Sequence, residues 1–292
     1  MPEAILLGNR NVLAASVLMD ELRRGGVADV CFAPGSRSAP LALAAAAAAG
    51  ASQPAAPFRL HLHVDERCAA FFALGLARAS ARPVALFCSS GSAGAHFYPA
   101  ILEAEASGIA LVVITADRPP ELIHCGAPQT LDQTGLFGRH VLQFDSIPVP
   151  RRDAAWLRWL RGRVCRALET AGGSAGRVAG PVHLNLAFDE PLSAADSEGA
   201  ALAALAAAEP AAVWGRPDGA PWAPATAAGP AVLPPDEMQR LAERLRGGRG
   251  LVVAGPLGAD EISPPSVLAF ARACGAPLLA DALSGLRGAR LA

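Results

Sequence analysis

Four near-continuous apolar runs, each closing on a turn, constrain this chain more than any other feature. They are VADVCFAPG (27–35), PVALFCSSG (83–91), IALVVITADRP (109–119) and PVHLNLAFDEP (181–191). A strand with one face in water alternates polar and apolar residues, whereas a strand that is apolar throughout is covered on both faces. Segments of helical period lie between the runs. Residues 11–25 place Val12, Ala15, Leu18, Met19 and Leu22 on one face and end in Gly25-Gly26, a helix stop. Further helices are predicted over about 40–49, from an Asp65 N-cap to about Ala79, through Glu105, and over an arginine-rich stretch near 153–171. FRLHLHV (58–64) alternates and reads as a half-covered strand. Strands separated by helices predict an α/β fold with a doubly wound parallel sheet.

At 292 residues the chain is long enough for two domains. The first is expected over 1–193. Residues 194–235 are rich in Ala, Pro and Gly and read as a partly extended linker. A second α/β segment starts at 236, with PPDEMQRLAERLRGG and SVLAFARACG as helices and GLVVAGPLG and APLLADALSG as strands. Two strands and two helices make half of a doubly wound domain, so the stop at Arg290-Leu291-Ala292 reads as a truncation. GLVVAGPLG lacks the GxGxxG spacing and reads as a simple turn.

The chain is 52% hydrophobic and 17% charged, with a formal net charge of -1 and no basic block, which gives no footprint for a nucleic-acid partner. All 25 basic residues are arginine, so any anion grip is a guanidinium suited to bidentate carboxylate contacts. Cys31, Cys68, Cys88, Cys125, Cys165 and Cys274 form no CxxC pair and no metal-ligand spacing, and read as thiols in a reducing compartment. MPEAILLGNRN does not resemble a signal peptide, and the apolar run Ala39–Ala51 is too short to span a membrane. A cytoplasmic protein without a membrane span is expected.

In a parallel sheet the ligand crevice lies at the carboxyl ends of the strands. At those ends stand Ser36-Arg37-Ser38, Asp65-Glu66-Arg67, Ser89 to Ser92 and Asp117-Arg118. CSSGSAG follows a strand and precedes a helix, so it is either a tight turn or a ligand cradle. Arg37 and Arg118, each beside a proline-stiffened turn, read as solvated charges or as an anion site. Glu66 reads as a first-turn acid, which the helix dipole favours in its ionised form, or as a catalytic carboxyl against an apolar wall, which favours the protonated form.

PGSRSAPL, HVDER, CSSGSAGAHFYPAILEA, ITADRPPEL, CGAPQTLDQ and HLNLAFDEPL, in this order and spacing, resemble the 2-succinyl-5-enolpyruvyl-6-hydroxy-3-cyclohexene-1-carboxylate synthases. These are the thiamine-diphosphate-dependent enzymes of menaquinone biosynthesis. The likeness runs from about Asn11 onward and is densest between Pro34 and Gln133. It implies a pyrimidine-binding domain followed by the start of a central domain. The family decarboxylates 2-oxoglutarate and adds the resulting carbanion to isochorismate, with the cofactor shared between subunits of a homodimer or homotetramer. Glu66 matches the glutamate that hydrogen-bonds the aminopyrimidine ring and favours its imino tautomer. Acid–base help of this kind is worth about 10²–10⁴ in rate, roughly 3–5 kcal/mol. Pro34 and the turn Ser90, Gly91 and Ser92 match positions beside the pyrimidine pocket. Ser36, Arg37, Arg118 and Gln129 match positions that contact substrate carboxylate and hydroxyl groups. His96 stands where a small polar residue is usual, and Ala39 where threonine is common, which leaves fine pocket contacts open.

The family's Mg²⁺–diphosphate site uses a GDG string and later asparagines. This chain has no GDG, and its asparagines are Asn9, Asn11 and Asn185. No metal ligand is therefore assigned here, and the Mg²⁺ site is expected in a diphosphate-binding domain beyond Ala292. On this reading the isolated 292 residues are inactive. Two alternatives stand beside it. One is a pyrimidine-domain subunit that pairs with a separate diphosphate-binding chain, and the other is a non-catalytic ligand-binding module.

Overall fold

Asn9 starts the first helix for a definable reason. Its side-chain oxygen accepts the backbone N–H groups of Asn11 and Val12, both at 3.1 Å, at the head of α1 (Arg10–Arg24). The computed structural model describes residues 5–50, 58–173, 178–193, 195–224, 232–246, 249–256 and 262–287. The sequence readings that fall on 1–4, Ala51, 225–231, the turn at 257–261 and the stop at Arg290–Ala292 lie outside these residues. The chain divides into two units, Met1–Ala227 and Ala228–Ala292.

In the first unit α1 is followed by β1 (Asp29–Phe32), α2 (Ala39–Gly50), β2 (Arg59–Leu62), α3 (Glu66–Ser80) and β3 (Val84–Cys88). Next come α4 (Tyr98–Ser107), β4 (Leu111–Asp117), β5 (Phe144–Ile147), α5 (Ala154–Gly172) and β6 (Val182–Ala187). The six strands form one parallel sheet in the order β2-β1-β3-β4-β6-β5. Every residue of β1, β3, β4 and β6 is buried, while the edge strand β2 is partly exposed.

The pleat explains the near-continuous apolar runs. Ala85, Phe87, Val112 and Ile114 point into a core shared with α1, α2 and α5. Val84, Leu86, Cys88, Leu111 and Val113 point the other way, into a second core under α3 and α4. A fully buried aliphatic or aromatic side chain contributes roughly 1.5–3 kcal/mol, so both faces of each central strand stabilise the sheet. Asp65 caps α3 by accepting the Cys68 N–H at 2.8 Å, and Asp153 caps α5 by accepting that of Trp156 at 2.7 Å.

The structure departs from expectation in the stretch read as an irregular linker. Residues 199–214 form two helices, α6 (Gly199–Ala208) and α7 (Pro210–Trp214), which pack against the first core through Leu202, Ala206, Ala212 and Val213. The fully buried Arg161 of α5 reaches across to the carbonyls of Ala212 and Val213 at 3.0 and 2.8 Å, and pairs with Asp20 and Glu21 of α1. The short strand β5 also has no counterpart among the strands read from the sequence.

The second unit contains α8 (Pro235–Leu245), β7 (Val252–Ala254), α9 (Pro264–Cys274) and β8 (Leu278–Ala280), with β7 and β8 parallel. Among the described residues no helix is long and apolar enough to cross a membrane.

Candidate active site

The carboxyl ends of β1, β3 and β4 converge on one cluster. After β1 the chain turns through Pro34-Gly35-Ser36, where Ser38 Oγ donates to the Gly35 carbonyl at 3.1 Å. This turn lies hard against the end of β3: a Cβ placed on Gly35 would stand 2.4 Å from Ser89 Cβ. Pro34 and Ser36 are exposed, and Arg37 folds inward. One guanidinium nitrogen of Arg37 donates to the Phe188 carbonyl at 2.8 Å, and the other pairs with Glu190 at 3.4 Å. Its Nε is buried with no hydrogen-bond partner among the described residues.

β3 is followed by Ser89 and Ser90, both buried, and then by Gly91 at φ +79°. That conformation suits glycine, and space demands it too: an added Cβ would meet Gln129 Cγ at 2.8 Å and the Gln129 carbonyl at 3.0 Å. Gln129 itself has φ +55° and donates its Nε2 to the Ser90 carbonyl at 3.0 Å. Arg118, just past β4, completes the group by donating to the Gln129 carbonyl at 2.6 Å and to the Ser90 hydroxyl. Its guanidinium is held below the usual arginine range, first by burial and then by the charge of Arg37.

Glu66 stands on the neighbouring β2–α3 connection, half-buried, as the first residue of α3. Its charge adds to burial in pushing the Cys88 thiol, at the end of β3, well above its ordinary value. The carboxyl therefore lies toward the same sheet edge, although among the described residues it shares no hydrogen bond with the arginine cluster. Ser92 is exposed on the rim, in the turn that leads to α4. The exposed side chains of Leu62, Val64, Phe71 and Phe72 lie on the β2–α3 segment that carries Glu66.

Four residues that support this edge, Gln133, Asn185, Thr115 and His183, escaped the sequence reading, which picks out Asp117 at the end of β4. Gln133, 1% exposed, accepts the Gly91 N–H at 2.8 Å and donates to Asn185 Oδ1 at 2.8 Å. Asn185 donates to Asp117 at 2.7 Å, and Asp117 accepts the Arg118 backbone N–H at 2.8 Å. Thr115 donates to Asn185 at 2.6 Å and lies 2.7 Å from Nε2 of the buried His183. Burial pushes the Asp117 carboxyl up, against the hydrogen bond from Asn185, and drives the His183 imidazole down to about 3. The sequence signal for these residues was available in part, as polar residues inside the otherwise apolar strands β4 and β6.

A cleft of about 460 Å³ opens between Arg10, Pro120, Pro148, Pro150 and Arg152. Its Arg10 is paired with Asp189 and Glu198, and Arg152 with Glu198, while the exposed Arg151 also lines it. Among the described residues no group of three or more His, Cys, Asp or Glu side chains could hold a metal ion.

Residues 13–136 match the family model described as thiamine pyrophosphate enzyme, N-terminal TPP binding domain. The chain is 43% identical over 274 residues to the 2-succinyl-5-enolpyruvyl-6-hydroxy-3-cyclohexene-1-carboxylate synthase of Geobacillus kaustophilus, covering 94% of this chain and 43% of that protein. The synthase of the same name from Haloarcula marismortui is 43% identical over 287 residues, covering 96% of this chain and 46% of the relative. That of Thermobifida fusca is 52% identical over 184 residues, covering 63% of this chain and 32% of the relative. The chain thus spans less than half the length of these relatives.

Proposed function

We propose that the chain belongs to the 2-succinyl-5-enolpyruvyl-6-hydroxy-3-cyclohexene-1-carboxylate synthase family of thiamine pyrophosphate enzymes and forms the pyrimidine-binding half of such an active site. In the whole enzyme the reaction is the decarboxylation of 2-oxoglutarate and transfer of the remaining four-carbon unit to isochorismate, a step of menaquinone biosynthesis. The observation that carries this reading is the convergence of Arg37, Arg118, Gln129 and Ser90 at one sheet edge, beside Glu66.

Thiamine diphosphate, when bound, supplies the electron sink that decarboxylation of a 2-oxo acid requires. The residues present fit its pyrimidine half. Glu66 offers a half-buried carboxyl at the head of α3, and Gly35 and Gly91 let the Pro34–Ser36 and Ser90–Ser92 turns pack against Ser89 and Gln129 where a Cβ would obstruct them. Glu66 holds and exchanges a proton at its carboxyl oxygen with the aminopyrimidine. Arg37, Arg118, Gln129 and Ser36 orient the carboxylate and hydroxyl groups of the two dianionic substrates. Mg²⁺ accompanies the diphosphate and is assigned to the part of the relatives that this chain does not span. A homodimer or homotetramer in the cytoplasm is the assembly proposed, supported by the exposed Leu62, Val64, Phe71 and Phe72 beside Glu66.

The test uses a polypeptide of the relatives' full length that carries this chain. Glu66→Gln should lower kcat by about 10²–10⁴ while the fold is retained. Arg118→Met should raise KM for the dicarboxylate substrates. Near-parental turnover by the Glu66→Gln protein would refute the role given to Glu66, and measurable synthase activity from the isolated 292 residues would refute the half-site assignment.

A further inference from the structure

One buried side chain touches both halves of the anion cluster. The Gln133 carboxamide accepts the Gly91 N–H at 2.8 Å and donates to the Ala116 carbonyl at 3.2 Å and to Asn185 Oδ1 at 2.8 Å. Its orientation is dictated by its neighbours, because a backbone N–H requires the amide oxygen and a backbone carbonyl requires the amide nitrogen. From Asn185 the chain of bonds continues to Asp117 Oδ2 at 2.7 Å, and Asp117 Oδ1 accepts the Arg118 N–H at 2.8 Å. One end of this relay is the peptide next to Ser90, and the other is the backbone of Arg118. Those two residues meet through the Arg118 guanidinium and the Ser90 hydroxyl.

We propose that Gln133 is a positioning residue: it ties the glycine turn after β3 to the end of β4, and so sets the distance and angle at which Arg118 and Ser90 face a bound carboxylate. Filling a core would need only an apolar side chain of the right volume. Three directional hydrogen bonds in a dry environment constrain orientation as well as distance, and leave a partner unsatisfied if any one is lost. Asn185 is shared between the relay and Thr115, which donates to the same Oδ1 at 2.6 Å, so its amide cannot turn over without breaking two acceptor contacts. The identity of the carboxylate rests on the function proposed above, whereas the linkage itself does not.

Two variants divide the relay. Gln133→Met keeps length and volume but removes every polar contact. Gln133→Glu keeps an acceptor for the Gly91 N–H and removes both N–H donors. Backbone amide exchange, followed by NMR on this chain, should accelerate at least about tenfold at both Gly91 and Arg118 in the Met variant, and at Arg118 alone in the Glu variant. In the full-length polypeptide, Gln133→Met should raise KM for 2-oxoglutarate and isochorismate about tenfold, with a smaller change in kcat. Leu22→Ala, a buried truncation in α1 away from the relay, should destabilise the fold yet leave KM within about twofold. Unchanged exchange at Arg118 in the Glu variant, or an equal rise in KM from Leu22→Ala, would overturn the positioning role. If the Met variant does not fold, the Glu variant decides. If the full-length parent turns over neither substrate, the proposed function fails, and the exchange measurements still decide whether Gln133 couples the two strand ends.

Discussion

Acid should weaken the first unit in part through one residue, His183. Its imidazole is buried on β6 between the rings of Phe137 and Phe144, at centroid distances of 4.7 and 5.1 Å. Burial holds it at about 3, against an ordinary value of 6.5. The folded state therefore keeps the ring neutral where the unfolded chain would protonate it. The stability it contributes is complete above about pH 6.5 and drains away as the pH falls toward 3. At about 1.4 kcal/mol per unit of difference, the full effect approaches about 5 kcal/mol, of which about 2 kcal/mol is lost between pH 7 and pH 5. His183→Gln removes the titration but retains an amide donor that can reach Thr115 Oγ1, the 2.7 Å partner of Nε2. Urea unfolding followed by tryptophan fluorescence reports on this unit, because Trp156, Trp159, Trp214 and Trp222 all lie within it. The wild-type chain should lose about 2 kcal/mol more than the variant between the two pH values. Parallel losses, within about 0.5 kcal/mol, would show that His183 is not held neutral and would refute the reasoning.

Two glycines should respond in opposite ways to alanine. At Gly35 the new methyl would stand 2.4 Å from Ser89 Cβ, so Gly35→Ala should destabilise by about 1–3 kcal/mol in urea unfolding. At Gly75, inside α3, nothing lies within 4 Å of the added Cβ, and Gly75→Ala should stabilise by about 0.5–1 kcal/mol. Arg161→Met should cost about 3–5 kcal/mol by the same assay, because it leaves the buried carboxylate of Glu21 without its guanidinium partner and removes the donors to the Ala212 and Val213 carbonyls. The fluorescence of Trp214, which ends α7, should change first if those carbonyl contacts anchor the helix.

The central strands were legible because covering both faces of a parallel sheet makes a sequence nearly continuous in apolar residues, and little else does. The helices around them were legible from caps and period, as at the Asp65 cap and along the apolar face of α1. β5 was not. Its four residues include Asp145, whose burial is made tolerable by Arg163 on α5, a tertiary partner that no local pattern announces. The helices α6 and α7 were hidden by alanine, which gives no contrast between a buried and an exposed face. What fastens α7 is the buried guanidinium of Arg161, on an element about fifty residues away in sequence. The site divides in the same manner. Arg37, Arg118 and the serine-glycine turn stand at strand ends and could be picked out there. Gln133 sits in a loop with no period, and only the folded chain reveals that its amide closes on three partners.

The electrostatics of the cluster explain why dianions are assigned to it. Most of the contacts of Arg37 and Arg118 are with neutral acceptors: the Phe188 carbonyl for one, and the Gln129 carbonyl and Ser90 hydroxyl for the other. Such contacts fix where a guanidinium points but leave its charge in place. Arg37 has one carboxylate partner, Glu190, at 3.4 Å, and that side chain is 71% exposed, so solvent screens the pair to about 1 kcal/mol or less. The two cations also feel each other, since Arg37 adds to burial in lowering the proton affinity of Arg118. A fold that needed these arginines only for cohesion would gain more by pairing them with buried acids, as it does with Arg161. Here the positive charges are oriented and partly desolvated, the carboxylates of Asp117 and Glu190 offset them only in part, and a buried Nε on Arg37 has no acceptor among the described residues. A carboxylate ligand removes both deficits at once, by supplying the missing acceptor and offsetting the repulsion between the two guanidiniums.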